Sequence, residues 1–340
     1  MNQRILLTGA DGYIGRAFST YLKGKGIDSY DVDSYGRGSW VMEVGGVNLG
    51  FQGSPTSKVC DLINYDTVLR ILKFLKPTHI FHLASQPSAP YSESTPERKR
   101  FTQLNNLLML RNLLDSAKEL NLDCSWIVTT TTGVPGAPNQ PIEEAPMPNL
   151  AGSAYHVSRG FDSANLSLAA KQWKFRILEL RTSIVYGVAV DGIDSAITRF
   201  DWDYYFGVVL HRFLLKKLKK EPVTVYGKGE QRKPIICLRD VVQSLFNCLS
   251  YDIKPGHEIM NQTTQCLEIM TIANQMRAEI CHIENPRTEN EEHKMVINNQ
   301  KFLRLLTGNP TLLQTELPIL EKLVDLKRLP RNWEFAYDGK

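Results

Sequence analysis

The sequence predicts an α/β protein: a doubly wound parallel sheet followed by a smaller C-terminal α/β lobe for the substrate. Three observations point there. Short apolar runs alternate with amphipathic segments over the first two-thirds of the chain, the pattern of βαβ units. A glycine-rich turn follows the first apolar run at once. From about residue 188 the pattern loosens into polar loops and scattered helices. The expected division is 1–187 for a cofactor-binding domain, with a further core strand near 223–260, and 188–340 mainly for substrate.

The elements follow in order. RILLTG (4–9) reads as a buried strand, and DGYIGRAFSTYLKGKG opens the first helix. SYDVD (29–33) is a second strand ending in an acid. Residues 35–57, rich in Gly and Ser, read as a loop, and VCDL (59–62) as a short strand. In NYDTVLRILKFLKP, Val68, Ile71, Leu72 and Leu75 recur at helical spacing, and Pro77 stops the helix. HIFHLAS (79–85) is the next strand, followed by a helix near 97–120 and the strand SWIVTTT (125–131). A helix over 153–171, the strand-like FRILELRTSIVYG (175–187) and the strand VTVYG (223–227) complete the reading.

Composition excludes several classes. Of 340 residues, 42% are hydrophobic and 22% charged, as in an ordinary soluble protein. A net charge of +4 without a basic tail gives no argument for nucleic acid, and KKLKK (216–220) reads as a solvated helix face. Six scattered cysteines without C-x-x-C predict reduced thiols in a cytoplasmic protein and no metal site. The N-terminus enters a strand with no signal segment, and no apolar run is long enough to span a membrane, so no membrane partner is expected.

Gly9, Gly12 and Gly15 stand at three-residue spacing between the first strand and its helix. Glycine there lets the chain turn tightly and lets a pyrophosphate approach the backbone at a helix N-terminus. Asp33 ends the second strand eighteen residues after Gly15, where a carboxylate holds adenosine ribose hydroxyls. The prediction is a Rossmann-type domain binding NAD, since an acid at that position repels a 2′-phosphate; Arg37 nearby keeps NADP open.

The succession Gly9-x-x-Gly12-x-x-Gly15, Asp61-Leu62, His82-Leu83-Ala84-Ser85 and Tyr155-x-x-x-Arg159 resembles the extended short-chain dehydrogenases/reductases, the NAD-dependent sugar-nucleotide epimerase/dehydratase family. The resemblance covers nearly the whole chain. QPSAPYS (86–92), TQLNN (102–106), YHVSR (155–159), FDWDYYFGVVLHRF (200–213), VYGKGEQ (225–231) and NPRTENEEH (285–293) are similar to the family's UDP-sulfoquinovose synthase branch.

The resemblance implies NAD held by Gly9, Gly12, Tyr13, Ile14, Gly15, Asp33, Asp61, Leu62, Leu83, Ala84 and Ser85, with Tyr155 and Arg159. It implies Tyr155 as general base, Thr131 bonding the same sugar oxygen, and His156 as a second proton donor. It places a nucleotide-sugar, UDP-linked by family default, among Gln86, Asn106, Thr131, His211, Arg212, Gln231, Lys233 and Arg287. It also implies a homodimer paired through the helices near 97–120 and 153–171.

Departures from the family pattern sharpen the chemistry. Arg159 replaces lysine. Free tyrosine titrates near ~10, so work at neutrality needs a shift of ~3 units, or ~4 kcal/mol. One positive charge about 4 Å away at an effective dielectric of ~20 supplies roughly that. Arginine keeps the charge but carries a planar fork where lysine would seat the nicotinamide ribose. TTTTGVPG (129–136) lacks the Asp-Glu pair of hexose 4,6-dehydratases, so elimination by their route is not expected. Pro135 and Pro87 stand where a tyrosine and an arginine are common. The expected activity is NAD-dependent modification of a nucleotide-activated hexose through transient oxidation at C4, by epimerisation or a sulfoquinovose-synthase-like route. A net NAD(P)-dependent oxidoreductase and a catalytically impaired dinucleotide-binding regulatory protein remain open alternatives.

Overall fold

β1 (Ile5–Thr8) is buried at every position, as a strand covered on both faces must be. In the computed structural model, which describes residues 3–34, 58–136, 140–148, 152–188, 205–284 and 295–324, it is an interior strand of a seven-stranded sheet. β2 (Ser29–Asp33) and then β3 (Lys58–Val59) lie on one side of it. β4 (His79–His82), β5 (Ser125–Thr131), β6 (Arg176–Thr182) and β10 (Gly256–Gln262) lie on the other. All pairings are parallel, and the order β10-β6-β5-β4-β1-β2-β3 reverses direction between β1 and β4. That reversal is where a crevice opens beyond the strand ends.

Helices cover both faces. α1 (Tyr13–Gly24) packs Phe18 and Leu22 against one face, together with Val241 and Leu245 of α7 (Leu238–Asn247) and Phe302 of α9 (Gln300–Leu305). On the other face lie α2 (Tyr65–Leu75), α4 (Pro96–Glu119) and α5 (Ala154–Trp173), through Val68, Leu72, Leu110, Leu113 and Leu166. α2 shows why such segments are helical. Its apolar residues share a face, Asn64 accepts the Thr67 N–H at 2.9 Å, and Lys76 ends it in the left-handed region before Pro77.

Three boundaries differ from the sequence reading. A short helix, α3 (Ala89–Ser94), precedes α4, because Thr95 is extended at φ −147° and caps the next helix. The strand expected over 59–62 is only Lys58–Val59, since Asp61 turns the chain by accepting the Ile63 N–H at 3.1 Å. The strand expected over 175–187 is two: after Thr182, β7 (Ile184–Tyr186) leaves the main sheet.

β7 pairs in parallel with β9 (Arg232–Cys237), which pairs antiparallel with β11 (Gln265–Glu268). β8 (Val223–Tyr226) pairs with β12 (Ile280–Ile283). A third core joins these strands to α6 (Val209–Leu218), α8 (Ile269–Gln275) and α10 (Leu313–Leu323) through Phe213, Val223, Ile272 and Leu317. All six cysteines are free, and among the described residues no helix is long and apolar enough to cross a membrane. Among those residues no cluster of metal-ligating side chains occurs. The loop expected over 35–57, including Arg37, lies outside the described residues.

Candidate active site

The loop between β1 and α1 is shaped by close contact. Gly9 adopts φ +72°, and a Cβ there would lie 2.6 Å from the backbone nitrogen of Ala84, just after β4. A Cβ on Gly15 would lie 2.0 Å from the Gly9 carbonyl oxygen. Gly12 begins α1 and offers its first-turn N–H groups no side-chain cap, whereas Asn64, Ser88, Thr95 and Ser153 cap α2 to α5. Uncapped N–H groups at a helix N-terminus are donors for a phosphate. The Asp33 carboxylate is held at the end of β2 by the Asp11 N–H at 2.9 Å.

These groups line one cavity of about 720 Å³ at the crossover between β1 and β4. Gly9, Gly12, Tyr13, Ile14, Gly15, Asp33, Asp61, Leu62, Leu83, Ala84 and Ser85 are on its wall. The bare glycine backbone, the uncapped helix start and a carboxylate at the end of β2 on the same wall together fit a dinucleotide. Gly15→Ala is expected to weaken NAD binding by at least about tenfold, because a backbone oxygen cannot rotate away from the new methyl. Fluorescence titration with NAD checks this, and unchanged affinity contradicts it.

Tyr155, His156 and Arg159 face the same cavity from α5. That helix starts at Ser153, which accepts the His156 N–H at 3.3 Å and meets its Nδ1 at 2.9 Å. The Tyr155 N–H donates to Ser92 of α3 at 3.2 Å, which seats the helix start. Thr131 accepts the Gly133 N–H at 3.2 Å and lies near enough to Tyr155 to favour its anion.

Arg159 is buried, with one η nitrogen 2.6 Å from Asp162 and the other donating to the Thr129 carbonyl. The electrostatic result differs from the sequence expectation. Burial raises the Tyr155 phenol; Arg159 pulls it down, Asp162 pushes it up, and Thr131 pulls it down. The net direction is upward, because burial outweighs the cation that was to lower it and Asp162 offsets part of that cation. Burial, and next the Arg159 charge, hold His82 down at about 3, so it is neutral.

On the substrate side, Gln86 lines the cavity. Its Oε1 accepts the Ser88 N–H at 3.2 Å and the Thr102 hydroxyl at 3.3 Å, while its buried Nε2 has no partner among the described residues. Asn106 lies behind that wall, fully buried, accepting the Gln86 N–H at 2.7 Å and donating to the Gln86 carbonyl at 3.2 Å and Ser158 at 2.9 Å. His211 Nε2 accepts the Gly187 N–H at 3.2 Å, and its ring meets Tyr13 edge-on at 5.7 Å. Arg212 follows on α6, Gln231 is buried with its carbonyl accepting the Ile269 N–H at 3.0 Å, and Lys233 sits on β9 opposite Leu267. Thr131, His211, Arg212, Gln231 and Lys233 are not on the cavity wall formed by the described residues, and Arg287 lies outside those residues.

Sequence reasoning passed over two groups. Tyr91, Tyr205 and Phe206 form an aromatic wall, with Arg98 over the Tyr91 and Tyr205 rings at 4.8 and 5.2 Å. The aromatic density of SAPYS and DYYF was the available signal. Asp162 stands three residues after Arg159, a spacing that brings helical side chains together.

A family model described as the NAD dependent epimerase/dehydratase family matches residues 5–261. The chloroplastic UDP-sulfoquinovose synthase of Spinacia oleracea is 29% identical, over 89% of this chain and 71% of its own. That of Sulfolobus acidocaldarius is 27% identical, over 85% and 84%. Among solved structures, UDP-glucose 4-epimerase from Thermotoga maritima with UDP-glucose superposes with a TM-score of 0.74 at 20% identity, over 94% of this chain and 98% of that one. The resemblance read from the sequence therefore holds for fold and relatives alike, and the chain belongs to the NAD dependent epimerase/dehydratase family.

Proposed function

We propose that the protein modifies a nucleotide-activated hexose, UDP-linked, by transient oxidation at C4 with NAD as recycled cofactor. One observation carries the proposal: Tyr155 shares a single cavity with the glycine loop and Asp33. NAD would lie against Gly9, Gly12, Gly15 and Asp33, where it supplies reversible two-electron chemistry. Tyr155 Oη accepts the sugar hydroxyl proton and later returns it, and Thr131 orients the same oxygen. Arg159 biases the phenol toward its anion. The contacts of His156, Nδ1 with Ser153 and its ring against Gly133 beside the cavity, support it as a second proton carrier. Gln86 Nε2 offers a desolvated donor to the sugar, and the aromatic wall excludes water from it.

Sulfoquinovose-synthase-like addition or epimerisation fits this site; the relatives favour the first. A second reading, a dinucleotide-binding protein with an impaired site, is favoured by the Arg159–Asp162 pair. Incubating the protein and NAD with a panel of nucleotide-sugars, with and without sulfite, separates them by mass spectrometry and proton NMR. A product of new mass or configuration is expected, and tight NAD binding with every sugar unchanged would favour the impaired site.

We assign 1–187 to the cofactor domain, together with β10, and 188–340 mainly to substrate binding. Exposed Phe101, Leu104 and Leu108 on α4 and Phe161 and Leu168 on α5 form stripes at helical spacing, which supports a homodimer through these helices. Six free cysteines support a reducing compartment such as the cytoplasm.

A further inference from the structure

Arg159 has a partner that the proton transfer itself does not require. Its guanidinium and the Asp162 carboxylate, 2.6 Å apart, are both shut off from solvent. Neither Asp162 oxygen takes a well-aligned hydrogen bond among the described residues, so charge alone holds the contact. Arginine does not give up its proton in a protein. The proton that can move within this pair is therefore the one on Asp162.

The surrounding elements direct a proton to that carboxyl. Glu179 on β6 is the other acid whose charge reaches Asp162, and it is bonded by Thr130 of β5 at 2.6 Å, Ser163 of α5 at 2.7 Å and His257 of β10 at 2.8 Å. Arg181 adds a cation 3.4 Å away, so Glu179 stays ionised. His82 of β4 is neutral. Tyr155 and Arg159 complete the set from α5 itself.

We propose that Asp162 is a positioning residue for Tyr155: by gaining or losing a proton it sets how much of the Arg159 charge reaches the phenol. This rests on Tyr155 serving as the acid/base of the proposed reaction. With Asp162 protonated, Arg159 is an uncompensated cation and favours the phenolate. With Asp162 ionised, the pair is neutral as seen from Tyr155, and the phenol holds its proton. Burial pushes Asp162 up to about 7, with Arg159 pulling against it and Glu179 pushing with it, so the exchange falls in the working pH range. The two groups then titrate as a coupled pair.

The test follows Tyr155 by NMR of protein carrying isotope-labelled tyrosine, its resonance assigned by its loss in Tyr155→Phe. In Asp162→Asn the Tyr155 midpoint is expected to fall by roughly one pH unit, and the acid limb of kcat with it. Asp162→Glu keeps the charge and is expected to stay near the parent. A midpoint in Asp162→Asn equal to or above the parent overturns the proposal, as does an equal fall in Asp162→Glu, which would mark a packing effect. In the unsubstituted protein the Asp162 carboxyl resonance is expected to titrate near neutrality, and ionisation retained down to the ordinary aspartate range overturns it. A Tyr155 shift without turnover of any sugar would support the coupling and count against the proposed function instead.

Discussion

Tyr155→Phe is expected to lower turnover by about 10²–10⁴-fold while leaving the fold intact and changing NAD affinity far less than turnover. The substitution deletes one hydroxyl from a half-buried ring that packs against His156 with centroids 5.1 Å apart. The ring contact and the backbone bond from the Tyr155 N–H to Ser92 survive. What disappears is the oxygen whose charge Arg159 favours. Of the groups assigned to the reaction, this one exchanges the proton with the sugar, so its loss appears in kcat more than in KM. Steady-state kinetics alongside an NAD titration make the comparison. Activity within a few-fold of the parent would remove Tyr155 from the mechanism.

Glu179→Leu is expected to reduce stability by about 3–5 kcal/mol at neutral pH, because it leaves buried partners of a carboxylate without compensation. Arg181 loses its counter-charge, the His257 ring loses its hydrogen-bond partner, and the hydroxyls of Thr130 and Ser163 lose an acceptor. Arg181 also donates to the carbonyl of Ala145 at 3.0 Å, so the 140–148 segment is disturbed with it. Burial alone would raise Glu179, but the His257 hydrogen bond, the Arg181 and His257 charges and the Thr130 hydrogen bond hold it down at about 2. For an acid lowered from 4.5 to about 2, the folded state binds fewer protons than the unfolded one in that interval. The stabilisation is thus complete above pH 4.5 and lost as the pH falls toward 2. Urea unfolding at neutral and acid pH measures it: the gap between parent and variant should narrow in acid, and a pH-independent gap contradicts this origin.

The parts of this structure set by local pattern were legible in the sequence. Val68, Leu72 and Pro77 give α2 its face and its end, and the strand–glycine–helix succession gives the cradle at Gly9 to Gly15. What escaped depends on distant partners. Nothing near Ser183 announces that the strand leaves the sheet there; the break is held by the Gln262 carbonyl, which accepts the Ser183 N–H at 3.1 Å. Arg159 was legible as a cation one turn from Tyr155, but its fork reaches Asp162 as readily as the phenol, and helical spacing favours both. The sign of the Tyr155 shift is decided by burial and by which acid the arginine meets, and both belong to the packed core.

A hexose with deuterium at C4, supplied as its UDP-sugar to the NAD-loaded protein, tests transient oxidation at that carbon. The prediction is a converted sugar that keeps the deuterium at C4, with no reduced nicotinamide accumulating in solution. Recovery of the label in free reduced nicotinamide, or of the sugar wholly unchanged, would contradict it.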